Sequence, residues 1–224
     1  MNGPDGTLVA VRIGLVAAGL AVWRFTQYLL SRRASQPFAQ EGTIRDGVHD
    51  LTAPLHGWLL AHPRAADGLL IVSSAVIDLF GIAILLASIF GPTIQPYLGL
   101  ILLFGLRQVC QWFCALPIPP GMIWRDPGVP TLLVTYKTSN DLFFSGHTAL
   151  AVYGAACLST AFGAWGIVAG ASIALFLSLA VLVLRAHYTM DVFAGAVAAL
   201  YVHEIAVRIS PVVDSWVAGL LPGP

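Results

Sequence analysis

Charge is what this sequence has least of. Only 10% of its 224 residues are Asp, Glu, Lys or Arg, where a soluble domain carries about 25%. With 58% hydrophobic residues and a mean hydropathy of +0.82, it has too little polar surface to coat a globule. The basic and acidic side chains balance at a net charge of zero. That argues against a nucleic-acid partner, which needs a basic surface. Cysteine is scarce too. Cys110, Cys114 and Cys157 offer no disulfide framework, and the first two share one helical face as packing residues. The start, "MNGPDGTLVAVRIG", lacks the basic stretch and cleavage site of a signal peptide, so the first apolar run is expected to be a retained helix. No long-period repeat or low-complexity segment is evident.

What is present is a series of apolar runs, several long enough to span a bilayer, which takes about 20 residues per helix. Hydropathy places spans near 8–30, 67–90, 93–115, 142–163, 165–184 and 188–209, with Gly and Pro at the joints "FGPTIQP" and "FGAWG". The expected fold is an all-α integral membrane protein, a single six-transmembrane helical bundle over 1–224 and a multi-pass chain. Residues 31–66, with "RDGVHDLTAPLHGWLLAHP", are expected to lie along the interface as an amphipathic piece. Residues 116–141 hold five prolines that forbid a regular helix. Gly166 and Gly170 suit helix–helix contact, within the chain or in a homo-oligomer.

Counting crossings puts the loops after spans one, three and five on one face of the membrane. His147 opens span four and His187 opens span six, so two separate loops deliver histidines to one side at one depth. His187 and Asp191 are four positions apart and share a helical face. A carboxylate there holds one ring N–H of His187 and leaves the other nitrogen free to attack. Both histidines sit near helix N-termini, where unpaired N–H groups favour a phosphate. Ser145 and Gly146 allow a tight capped start to span four.

Together these suit phosphoryl transfer, with His187 attacking phosphorus and His147 protonating the departing alkoxide. A lipid substrate places the phosphate at headgroup level and the acyl chains in the bilayer. The plainer reading of His147 alone is an interfacial packing residue. Asp78 and Glu204 either serve the site or pair with a buried arginine such as Arg107. His203 reads as structural. The spacing of His49, His56 and His62 lacks the cysteine or carboxylate cluster that would complete a metal site, and no metal or other cofactor is expected.

The stretches "DLFFSGHT" (141–148) and "HYTMDV" (187–192) resemble the two catalytic motifs of the sphingomyelin synthase-related branch of the type 2 phosphatidic acid phosphatase superfamily. "LPIPPG" (116–121), with the Arg107 helix before it, resembles plant phosphatidylcholine:diacylglycerol cholinephosphotransferases of the same branch. The matching covers roughly 107–200. The resemblance implies six spans, His187 as nucleophile, Asp191 as its partner and His147 as general acid/base, and it places Asp141 on the motif's aspartate. The lipid phosphate phosphatases of the superfamily carry K-x6-R-P and S-R-x5-H-x3-D. Here there is no Arg-Pro pair, and the position six before His187 is Val181. Those absent cations would neutralise a phosphomonoester's two charges, so the chain leans toward a singly charged diester. Arg185, and Arg125 or Lys137, remain as nearby cations or as interfacial anchors.

Trp112, Phe113, Trp124, Tyr136, Phe143, Phe144 and Tyr188 crowd the same face. They form either a box for a quaternary ammonium or an ordinary interfacial belt. The expectation is therefore a phospholipid headgroup transferase, moving phosphocholine or phosphoethanolamine to ceramide or diacylglycerol, with Asp141, Ser145, Gly146, Tyr188, Arg185 and Arg107 contacting substrate. The alternatives are a phospholipase C-like or phosphatase hydrolase, and a non-catalytic lipid-binding membrane protein. Orientation stays open: the positive-inside rule puts the site in the cytoplasm, whereas the animal sphingomyelin synthases it resembles work on the lumenal or exoplasmic side.

Overall fold

A computed structural model of the chain describes residues 5–32, 44–114, 116–134, 136 and 142–219. Among the described residues seven helices follow in order: α1 (Gly6–Arg32), α2 (Gly47–Leu51), α3 (Ala53–Ala61), α4 (Pro63–Phe90), α5 (Gln95–Phe113), α6 (Gly146–Val183) and α7 (Thr189–Gly219). Among the described residues there is no strand. Four of the described segments are long and apolar enough to cross a membrane: Gly6–Leu29, Pro63–Phe90, Gly146–Val183 and Thr189–Gly219. The chain is a multi-pass integral membrane protein.

Proline and glycine set the boundaries. Pro63 and Pro96 occupy first-turn positions of α4 and α5, where a missing N–H costs nothing. Gly91 closes α4, its N–H donating to Ala87 O at 2.8 Å, and Pro92 prevents continuation. The third predicted span corresponds to α5, which falls outside the four apolar segments. Gln95, Arg107, Gln108 and Gln111 dilute its hydropathy, and Arg107 and Gln111 are buried. This helix turns polar groups inward, against α4, α6, α7 and α1.

The fourth and fifth predicted spans correspond to α6, whose 38 residues are interrupted at Gly163 (φ 57°, ψ −132°). That positive φ suits glycine. The chain doubles back there. Ser178 Oγ donates to Thr148 Oγ1 at 3.3 Å. A Cβ on Gly170 would sit 2.6 Å from Ala155 Cα, and one on Gly166 2.1 Å from Leu158 O. These pairs nest symmetrically about Gly163, as in a tightly packed antiparallel hairpin. In lipid, where apolar surface has no water to escape, such close approach of small residues drives helix association. Gly166 and Gly170 therefore pack within the chain.

The hairpin presses on α7 and α4, around a core that includes Leu103, Leu150, Tyr153 and Leu177. At the end of the bundle far from residue 145, Arg12 of α1 is buried. It donates to Gly91 O at 2.6 Å and contacts Asp214 Oδ1 of α7 at 3.4 Å. Asp214 also accepts from Thr93 Oγ1 at 2.5 Å and Ile94 N–H at 2.9 Å.

Helices α2 and α3 pack their histidines toward the bundle and leave apolar side chains outside. His49, His56 and Leu59 face inward, while Leu51, Leu55, Trp58 and Leu60 are exposed. Asp78 and Glu204 each bond elsewhere in the fold. Asp78 accepts Leu132 N–H and Leu133 N–H at 2.8 and 2.9 Å, anchoring the 116–134 loop to α4. Glu204 pairs with Arg208 on the exposed side of α7 at 2.9 Å.

Candidate active site

Two helix N-termini meet where the hairpin abuts α7. Ser145 is the N-cap of α6 and accepts Thr148 N–H at 3.4 Å. Its own N–H donates to Asp191 O at 3.1 Å, and a Cβ on Gly195 would stand 2.8 Å from Ser145 O. Glycine at 195 thus lets α7 lie directly on the start of α6. The result places His147, in the first turn of α6, beside His187, in the turn before α7. Both side chains are largely buried, at 7% and 5% residue exposure.

His187 precedes α7 instead of sitting on it, so the expected one-face stacking with Asp191 is replaced by a different geometry. Asp191 is the third residue of α7 and reaches back to accept Tyr188 N–H at 2.9 Å through Oδ2. That is the reciprocal half of a capping box. The same Oδ2 lies 3.8 Å from His187 Nδ1, too far for a hydrogen bond. Asp191 Oδ1, His187 Nδ1 and His147 Nε2 are all buried without a partner. Nδ1 would have to swing toward Oδ2 for the two to bond. Catalytic hydrogen bonds are often long before substrate binds and tighten afterwards.

The α7 N-terminus is not open for a phosphate. Its Thr189 N–H donates to Asp46 Oδ2 at 2.6 Å and Thr189 Oγ1 to Asp46 Oδ1 at 2.7 Å, while Asp191 takes the neighbouring donor. Asp46 also caps α2, accepting Val48 N–H and His49 N–H at 2.9 and 3.3 Å. Burial alone would raise the Asp46 pKa, but the bonds from Thr189 and His49 outweigh it and hold the carboxyl below its usual range. Its stabilisation is therefore present above the ordinary Asp range and is lost as pH falls through that lowered value.

Asp46, α2 and α3 form a strap along the start of α7 and the end of α6, and it continues through two histidines. His49 Nε2–H donates to His187 O at 2.9 Å, and the His49 ring stacks on Tyr188 at 5.6 Å. His56 Nδ1–H donates to Val183 O at 2.8 Å. Burial lowers the His56 pKa, helped by nearby Arg185, which keeps the ring neutral in this donor role. His62 donates to Trp58 O at 2.8 Å. Each of the three thus holds a backbone carbonyl.

Asp46→Ala removes acceptors from two helix starts at once. An N-cap loss costs about 1 kcal/mol, and displacing a reacting group by about 1 Å costs on the order of 10²-fold in rate. The expected variant is folded, melts earlier in detergent, and turns over tenfold to a hundredfold more slowly. Thermal unfolding and turnover measured on one preparation check both effects.

His147 and His187 line one cavity of about 60 Å³, with Arg107, Gly146, Trp124, Gln27 and Trp23 among its walls. It is large enough for a few waters or one phosphate-sized group. The ring of Trp124 meets His147 edge-on at 5.5 Å. Arg107 Nε–H donates to Phe144 O at 2.8 Å, and a Cβ on Gly146 would come within 3.2 Å of that nitrogen. A side chain at 146 would crowd the guanidinium against the helix start.

Of the residues expected at the site, the structure brings together His147, His187, Arg107 and Gly146, with Asp191 behind His187. Ser145 is spent on its cap. Tyr188 is buried against His49, outside the cavity wall. Arg185 (φ 54°) turns away and donates to Pro120 O at 2.9 Å. Arg125 pairs with Asp67 at 2.7 Å. Asp141 and Lys137 lie outside the described residues. The aromatic cluster is looser than expected: Trp124 lines the cavity with Tyr136 beside it at 4.9 Å, whereas Trp112 and Phe113 are exposed.

Asp46, His49, His56, Trp23 and Gln27 are additions from the structure. The last two carry a faint signal, a Trp and a Gln four apart on one face of an apolar run.

Compared with curated proteins and with solved structures, the chain has no match. A family model described as AtPDCT1/2 matches residues 46–208. That span begins at Asp46 and contains the strap, both histidines and Asp191, and it leaves α1 outside.

Proposed function

The chain belongs to the AtPDCT1/2 family, that of the phosphatidylcholine:diacylglycerol cholinephosphotransferases, and from this membership we propose that it exchanges phosphocholine between phosphatidylcholine and diacylglycerol through a phosphohistidine on His187. The observation that carries the reading is the pair of buried histidines lining one phosphate-sized cavity. In the first half-reaction a ring nitrogen of His187 attacks phosphorus. The P–N bond forms, the P–O bond to glycerol breaks, and His147 gives its proton to the departing alkoxide. Diacylglycerol leaves.

In the second half His147 takes the hydroxyl proton of an incoming diacylglycerol. Its oxygen attacks phosphorus, and the P–N bond breaks to regenerate His187. Asp191 faces the Nδ1 side of the ring, which leaves Nε2 as the attacking atom. Its charge stabilises the cationic imidazole while phosphorus is attached.

Arg107 on the cavity wall suits the single negative charge of a phosphodiester. The face of Trp124 suits a quaternary ammonium. Burial of both histidines under the strap limits water at the intermediate, which favours a lipid acceptor over hydrolysis. The hairpin at Gly163 divides α6 into two membrane-length arms. With α1, α4, α5 and α7 they make six crossings, with both histidines on one side of the bilayer.

The test uses purified protein in liposomes with fluorescent diacylglycerol and unlabelled phosphatidylcholine. Fluorescent phosphatidylcholine is expected, and only when the unlabelled donor is present. Parallel reactions with phosphatidylethanolamine and with ceramide define headgroup and acceptor. Release of free phosphocholine without any lipid acceptor would make the protein a hydrolase instead.

A further inference from the structure

Helix α1 lies outside the family-matched region, is the least buried of the four apolar segments, and yet walls two adjoining cavities. The first is the histidine cavity, to which α1 contributes Trp23 and Gln27. The second, of about 540 Å³, lies between α1, α4 and α5, within the roughly 300–1,000 Å³ of small-molecule sites. Its walls are almost wholly apolar, with Val22, Leu85, Leu100, Ile101 and Gly105 among them. Trp23, Phe104, Leu133 and Leu150 line both, so an apolar chamber abuts the histidines.

At that junction stand two polar atoms with nothing to bond. Gln27 is 5% exposed and its Oε1 is unpartnered, as is the buried Nε1 of Trp23. Buried polar atoms are normally hydrogen-bonded, so such exceptions ask for a ligand. One is an acceptor and the other a donor. Diacylglycerol offers the complement: a hydroxyl that donates, ester carbonyls that accept, and acyl chains that need an apolar space.

We infer that α1 builds the diacylglycerol subsite. One acyl chain fills the chamber between α1, α4 and α5. Gln27 accepts from the free hydroxyl as diacylglycerol enters and the Trp23 indole donates to an ester carbonyl; the hydroxyl then turns its one proton from Gln27 to His147 when it attacks. Gln27 and Trp23 are substrate-binding and positioning residues, and the inference rests on the lipid-exchange reading above.

The test reads binding apart from chemistry. Diacylglycerol carrying a diazirine at the end of one acyl chain is photolysed with liposome-embedded wild type and with His187→Ala protein. Crosslinks are expected in both proteins, within residues 19–26 and 100–109. Gly105 has open space around its Cβ position, so Gly105→Phe fills the chamber from α5 and is expected to cut labelling several-fold. Leu100→Trp does the same from the next turn and guards against one variant misfolding, with monodisperse elution as the check. In the transfer assay Gln27→Leu is expected to raise the diacylglycerol KM about tenfold, the scale of one hydrogen bond, with kcat little changed.

Crosslinks elsewhere, or labelling indifferent to both chamber-filling variants, overturn the subsite even if transfer proceeds. An unmoved KM in Gln27→Leu removes its hydrogen-bonding role. Correct crosslinks in a protein that transfers no headgroup leave the subsite standing and sink the exchange reading instead.

Discussion

Replacing His187 with alanine is expected to lower phosphocholine exchange by roughly 10³- to 10⁶-fold, the range seen when a nucleophile or its activating base is removed from a catalytic set. The loss should be chemical and not a failure to fold. What His187 gives the fold is its backbone carbonyl, which accepts from His49, and alanine keeps that group. The ring nitrogens form no hydrogen bond that alanine would break, since Nδ1 is unpartnered and 3.8 Å from Asp191. Melting should therefore shift little. With phosphatidylcholine labelled in its headgroup, wild type should trap an acid-labile, alkali-stable adduct on protein, and His187→Ala none. Exchange within tenfold of wild type would move the nucleophile elsewhere, and His147 is the other histidine on the cavity.

The second large effect concerns Asp191, which holds two duties that substitutions can separate. Its Oδ2 caps α7 through Tyr188 N–H, and its charge faces His187. Asparagine retains an acceptor for the cap and loses the charge. Asp191→Asn is expected to fold normally and to slow exchange by about 10²- to 10⁴-fold, as when the acid behind a catalytic histidine is neutralised. Asp191→Ala forfeits the cap as well, adding about 1 kcal/mol of destabilisation. Thermal unfolding and initial rates on both variants separate the two contributions. Full activity in Asp191→Asn would reduce Asp191 to a cap.

Much of this site is legible from the chain because it is local. The Ser145 cap and the turn from His187 to Asp191 are built from residues within a few positions of each other, and the reversal at "FGAWG" needs only a glycine at Gly163. The apolar periodicity likewise marks where the helices lie. What the sequence hides is long-range or depends on competition for an atom. Asp46 meets Thr189 across 143 positions, and no pattern around either residue announces the other. The i,i+4 spacing of His187 and Asp191 suggests a helical pair. In the fold, the N–H of Tyr188 wins the carboxylate oxygen because an unpaired donor at a buried helix start is costly. Arg185 and Arg125 read as cations near the site until backbone carbonyls and Asp67 claim them. The hydropathy at 93–115 marks helix α5, while its inward polar face, with Arg107 and Gln111 buried, shows only in the fold.

The buried pair at the far end of the bundle also carries a schedule. Arg12 belongs to α1, which is made before α4–α7, and its carboxylate partner Asp214 lies 202 positions later in α7. A buried cation on an apolar helix is costly until it is satisfied. Gly91 O relieves part of that once α4 has turned into α5, and only α7 brings the counter-charge. The ion pair that completes the burial of Arg12 thus needs α7 in place.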